Sequence, residues 1–234
     1  MTLLELDHVA KRCRHGKQEL DVLHDVSLEL HEAEMVAVCA YSRAGRVALS
    51  RIAAGIEAPD AGAVRFRGAE LRGAAEIAGG LAYCRPAMRG AAGESVRNWL
   101  VYAQLARGVP SPAARAHAAM ALERGEAGDC AGRALGELDG AGVVRVSIAA
   151  ALVQQPALLV VDEPTTNVEL LQRDRILALL RSLRDQGLAV LTCVDRGTGL
   201  FGADRALSLS GGELRGHLTP ELAPVVQMPV RASG

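Results

Sequence analysis

A chain of 234 residues is long enough to bury a sizeable core as one domain, or as one domain with a subdomain. Its 26 basic and 27 acidic residues leave a formal charge of -1, which excludes the broad field of a nucleic-acid or acidic-membrane binder. No apolar run approaches the roughly 20 residues of a membrane helix, and Met1-Thr2-Leu3-Leu4-Glu5-Leu6-Asp7 lacks the regions of a signal peptide, so a cytoplasmic chain is expected.

Along the chain, Lys11-Arg12-Cys13-Arg14-His15 has no interleaved aromatics and reads as a solvated basic face. Val26 to Leu30 alternates like a half-exposed strand, and Met35 to Cys39 is a continuous apolar strand running into small residues. A helix is expected from about Arg46 to Ala54, with Gly55 ending it. Pro59 to Gly62 reads as a turn and Ala63 to Gly68 as a strand. From Glu94 to Glu137 the chain is rich in alanine and arginine and lacks strand patterns, which predicts a small helical insertion. Val143 to Val153 has helical periodicity, Ala157 to Val161 is a strand, Glu169 to Asp185 a long amphipathic helix, and Leu188 to Cys193 another strand. That alternation predicts an α/β fold with a parallel sheet at its centre. Leu209-Ser210-Gly211-Gly212-Glu213 is read as a two-residue hairpin turn between late strands. The tail from Thr219 is expected to be extended. Cys13, Cys39, Cys84, Cys130 and Cys193 lack the paired spacings of a zinc site and read as reduced thiols, mostly packed as small apolar residues.

The most informative stretch is Leu158-Leu159-Val160-Val161-Asp162-Glu163-Pro164-Thr165. An apolar run that stops in acid-acid-proline places two carboxylates at the C-terminal edge of a parallel sheet, where open α/β folds bind ligands. A nucleoside triphosphatase needs such a pair, one carboxylate to direct a metal and one to activate water. A strand end capped by solvated acids is the plainer alternative.

In order and spacing, the helix from Arg145 to Leu152, the linker Gln154-Gln155-Pro156 and the strand ending at Thr165 resemble the ATP-binding subunit of an ABC transporter. The segment Thr166-Asn167-Val168-Glu169 is similar to the dimer-contact loop of its lipoprotein-release and macrolide-efflux branch. The resemblance implies a P-loop NTPase-like cassette over residues 1–234. Residues 1–93 and 138–218 would form the core with an antiparallel β subdomain, 94–137 a helical subdomain, and 219–234 the tail. It also implies ATP and Mg2+ as ligands, a transmembrane transporter subunit as partner, and pairing with a like or unlike cassette. No nucleic-acid partner is expected. The chain would sit at the inner face of the membrane through that partner.

Against this pattern several positions depart. The phosphate loop reads Ala40-Tyr41-Ser42-Arg43-Ala44-Gly45-Arg46-Val47-Ala48, where Ser42 and Gly45 fit, Arg46 replaces a lysine, and Val47 replaces the hydroxyl that binds magnesium. Arg46 keeps its charge on a planar fork and is expected to pair with phosphate in a shifted geometry. An ordinary loop entering a helix is the alternative. The signature position reads Leu138-Asp139-Gly140-Ala141-Gly142. An aspartate about 4 Å from a γ-phosphate charge would cost roughly 4 kcal/mol at an effective dielectric near 20, unless Asp139 simply caps the next helix. Cys13 stands where an aromatic stacks on adenine, Arg85 or Pro86 where a glutamine senses the γ-phosphate, and Asp195 where the switch histidine belongs. Trp99, with Val96, Leu100 and Ala103, reads as one helix face, for the membrane partner or for core packing. By this resemblance Asp162 would orient magnesium, Glu163 would polarise water, and ATP and magnesium would be held weakly or lost. The expected function is a transporter cassette with impaired or absent hydrolysis. An active ATPase of unusual chemistry and a non-catalytic scaffold are the rivals.

Overall fold

The computed structural model describes residues 1–15, 18–72, 80–86, 90, 92–195 and 202–217. Strands β1 (Thr2–His15), β2 (Gln18–His31), β4 (Ala61–Phe66) and β5 (Ala69–Glu70) form an antiparallel sheet in the order β2-β1-β4-β5. A second sheet takes β3 (Met35–Ala40), β6 (Leu81–Cys84), β7 (Leu158–Asp162), β8 (Ala189–Val194), β9 (Arg205–Ser210) and β10 (Glu213–His217), ordered β10-β9-β3-β8-β7-β6. Its strands run parallel except where β10 turns back on β9. That turn is Gly211-Gly212, with φ of 60° and 85°, the left-handed pair that a two-residue hairpin requires.

Both faces of the parallel sheet are covered, which is why its strands read as unbroken apolar runs. Leu158 and Val160 of β7, with Leu191 and Cys193 of β8, pack on helix α1 (Arg43–Ala53) and the antiparallel sheet beyond it. Leu159, Val161 and Val190 face the opposite way, onto helices α4 (Gly140–Leu152) and α5 (Leu170–Asp185). Helices α2 (Val96–Leu105) and α3 (Ser111–Arg124) join this second core through Val96, Leu100, Ala114 and Ala118.

Several expectations are corrected. α1 begins at Arg43, three residues before the expected start, because Ser42 caps it and Arg43 and Ala44 are good helix formers where a loop would need glycine. Lys11 is no solvated charge: its side chain is 13% exposed and reaches Glu57 at 3.2 Å and Asp60 at 3.0 Å, pinning β1 to the turn before β4. On α2 the inward residues are Val96, Leu100, Val101 and Gln104; Trp99 is partly buried against the core, and Ala103 is exposed. The tail from Thr219 lies outside the described residues.

Cys39, Cys84, Cys130 and Cys193 are buried and Cys13 is half-buried, all as free thiols. Burial pushes every one of them up, Cys84 to about 12 with a further push from Asp162. Because the thiolate is the reactive form, a water-soluble thiol reagent at about pH 8 should titrate at most Cys13 in the folded chain and all five thiols in urea. Fast labelling of a second cysteine under native conditions would contradict this packing.

Candidate functional site

Four elements end at one edge of the parallel sheet. β3 passes through Tyr41 and Ser42 into α1, β6 ends before Arg85, β7 ends at Asp162, and β8 ends before Asp195. The pleat determines where the first acid points: Leu158 and Val160 face α1, so Asp162, two residues further on, faces α1 as well. It is fully buried. At Glu163 the chain turns off the sheet with φ of 59°, its N–H donating to the Cys193 carbonyl at 2.8 Å.

From the facing helix comes Arg46. Ser42 caps α1, its Oγ accepting from the Gly45 N–H at 3.3 Å, and its carbonyl accepts from the Arg46 N–H at 2.9 Å. One turn into the helix, the Arg46 side chain is 8% exposed. Its Nε donates to Asp162 Oδ1 at 2.9 Å, and Nη1 lies 3.1 Å from Glu163 Oε1, an ion pair outside hydrogen-bond geometry. A single guanidinium is therefore held between both carboxylates. The planar fork is wide enough to span two acids at once.

The other Asp162 oxygen is engaged too. Tyr83 donates its hydroxyl to Oδ2 at 3.3 Å, and Arg85 Nε stands 3.9 Å from the same atom. Burial, and then the Asp162 charge, pushes the Tyr83 phenol above its ordinary value. Glu163 Oε2 accepts from the Thr166 hydroxyl. Tyr83 had no signal of its own in the sequence. It sits in an apolar strand, and its tie to the site runs through the parallel pairing of Tyr83 with Val160, which no local pattern reports.

An open cleft of ≈ 910 Å³ lies over these groups, lined also by Tyr41, Arg43, Arg51, Pro86, Asn167 and Asp195. Of the phosphate-loop candidates, Arg46 lines it. Ser42 serves as the cap, Gly45 is buried beside it, the Val47 carbonyl accepts from Ser50 Oγ at 3.1 Å, and Ala48 packs in the core. The signature-like residues stand apart from the lining. Asp139 caps α4, its Oδ1 accepting from the Gly142 N–H at 2.6 Å, with Gly140 and Ala141 in the first turn. Cys13 packs at the margin of the core on β1, away from the cleft lining.

The ABC transporter family model matches residues 23–166, which run from β2 through the phosphate-loop region to the acid pair and the loop after it. The chain belongs to the ABC transporter ATP-binding family. Within it the relatives are of the lipoprotein-release and macrolide branch. The lipoprotein-releasing system ATP-binding protein LolD of Myxococcus xanthus is 34% identical over 227 residues, covering 92% of this chain and 99% of that protein. The macrolide export ATP-binding/permease protein MacB 1/2 of Paracoccus denitrificans is 31% identical over 222 residues. This ABC chain spans 33% of the length of that relative. The dimeric structure of the bacterial ABC transporter cassette MJ0796 has the same fold, with a TM-score of 0.79 at 20% identity over 92% of this chain and 97% of that one. Among the described residues of the ABC chain, no helix is long and apolar enough to cross a membrane.

Proposed function

We propose that this chain is the ATP-binding cassette of a transporter, coupling nucleotide binding to a transmembrane partner and pairing with a second cassette, with ATP hydrolysis impaired or absent. The Arg46 contact carries this reading. In a working site of this layout Asp162 would direct magnesium and Glu163 would polarise the attacking water. Here Asp162 already accepts from Arg46 and Tyr83, and Glu163 is ion-paired to the same guanidinium.

A divalent cation does not fit beside that arrangement. Magnesium demands near-octahedral oxygen ligands, whereas the Asp162 oxygens face two donors and a second arginine. Val47 has no hydroxyl to offer, and among the described residues no cluster of three or more acids, histidines or cysteines could hold a metal. Asp195 adds to the case, since it brings a further acid to the lining of this chain's own cleft.

The test is steady-state ATP hydrolysis by the purified chain with excess magnesium, alone and with any membrane protein that co-purifies. Turnover indistinguishable from a no-protein control is expected, with Glu163→Gln making no difference. Hydrolysis at the normal rate of an active transporter ATPase, abolished by Glu163→Gln, would sink the proposal.

A further inference from the structure

Not every basic group in the same cleft is held tightly by an acid. Arg43, Arg46, Arg51 and Arg85 line it against Asp162, Glu163 and Asp195. Arg46 is committed to the acid pair, and Arg51 is paired with Glu57 at 3.0 Å. Arg43 is exposed and forms no ion pair among the described residues. Arg85 is half-exposed and only loosely placed, at 3.9 Å from Asp162. Two guanidiniums are thus able to turn onto an anion in the cleft, and a planar fork suits phosphate oxygens.

We propose that this cleft binds a polyphosphate, on a nucleotide or free, without a divalent cation, the Arg46 guanidinium occupying the place between Asp162 and Glu163 that a metal ion would take. This rests on the reading above that Arg46 closes the acid pair to a metal. In an ordinary site the metal screens the phosphates from the carboxylates below them. Here the charge that does so is covalently part of the chain and already in position. A second cation arriving with the ligand would meet a fixed guanidinium and find no free carboxylate oxygen on Asp162. The metal-free polyphosphate also carries more negative charge than its magnesium complex, so Arg43 and Arg85 attract it more strongly, an attraction that weakens as salt rises.

Calorimetric titration of the full chain with ATP, in EDTA and in excess magnesium at matched ionic strength, tests this, with tripolyphosphate as a second ligand. ATP should bind at least as tightly in EDTA as in magnesium. Arg43→Ala and Arg85→Ala should each weaken ATP binding about fivefold with unchanged melting temperature, both side chains being solvent-accessible. If tripolyphosphate displaces ATP, the phosphate chain alone is the ligand; if ATP binds without such displacement, the nucleotide is, and either result supports the inference. Binding that tightens tenfold or more with magnesium, or no binding in either buffer, overturns it. Absence of binding leaves the proposed loss of hydrolysis standing and removes the nucleotide coupling proposed with it. Magnesium-dependent turnover at the normal rate in the same samples, abolished by Glu163→Gln, would instead strike the functional reading itself.

Discussion

Arg46→Ala should destabilise the folded chain by about 3–5 kcal/mol, measured as the loss of unfolding free energy in urea. Asp162 has no exposure to solvent, and Arg46 supplies its shortest contact, 2.9 Å from Nε to Oδ1. Truncation leaves a buried carboxylate with a tyrosine hydroxyl at 3.3 Å and an arginine at 3.9 Å, together with Glu163 deprived of its ion pair. Removing one partner of a buried pair is costly because the remaining charge has lost both its water and its counterion. Replacing every partner is different. Arg46→Met combined with Asp162→Leu and Glu163→Gln should recover most of the loss, since the guanidinium and both carboxylates it held are then gone and no charge is left unmatched. Arg46→Lys should fall between, because a single ammonium keeps the charge but cannot reach two carboxylates with a fork. If Arg46→Ala cost under about 1 kcal/mol, within the range of exposed ion pairs, the buried bridge would not be what holds these acids.

The direction of the Arg46 side chain is what the sequence left unread. Residue type and place were legible: an arginine where a phosphate-binding lysine is expected, and an acid pair at the end of an apolar strand. The bond between them joins positions 116 residues apart, so neither periodicity nor spacing reports it. The buried strands β7 and β8 and the long helix α5 were readable to within a residue or two because covered parallel strands and amphipathic helices impose strong periods. The 14-residue strand β1 was not. Its register shifts against β2 at several points, and His8 has a φ of 51°, so its alternation is broken where a reader would look for it. The four-residue strand β6 was missed for a related reason, its pairing being to β7, far along the chain. The early start of α1 was hidden by the expectation of a loop. Ser42 followed by Arg43-Ala44 is a capped helix start on local chemistry alone, and the structure follows the local chemistry.

Gly140→Ala should cost about 2–3 kcal/mol, near the upper end for an overpacking substitution. A methyl group there would lie 1.9 Å from the Asn167 carbonyl oxygen and 2.9 Å from its carbon, so the obstacle is backbone and cannot rotate away. The loop it would strike has little room to yield. Asn167 already has a φ of 61°, the buried Val168 anchors one end, and Glu163 with a φ of 59° anchors the other. Relief must come either from the loop, which moves Glu163 and its Thr166 contact, or from the first turn of α4, which strains the Asp139 cap on Gly142. Either path couples the signature-like turn to the acid pair through a contact within one chain. Urea unfolding gives the size of the loss, and native-state hydrogen exchange at Thr166 and Val168 shows which side gives way, since both amides are bonded within the loop. Gly132→Ala is the control: open space surrounds its added methyl, and a change within about 0.5 kcal/mol is expected. Equal effects at the two glycines would mean that Gly140 is present only as a helix-start residue and that α4 and the loop after Glu163 are not in contact in solution.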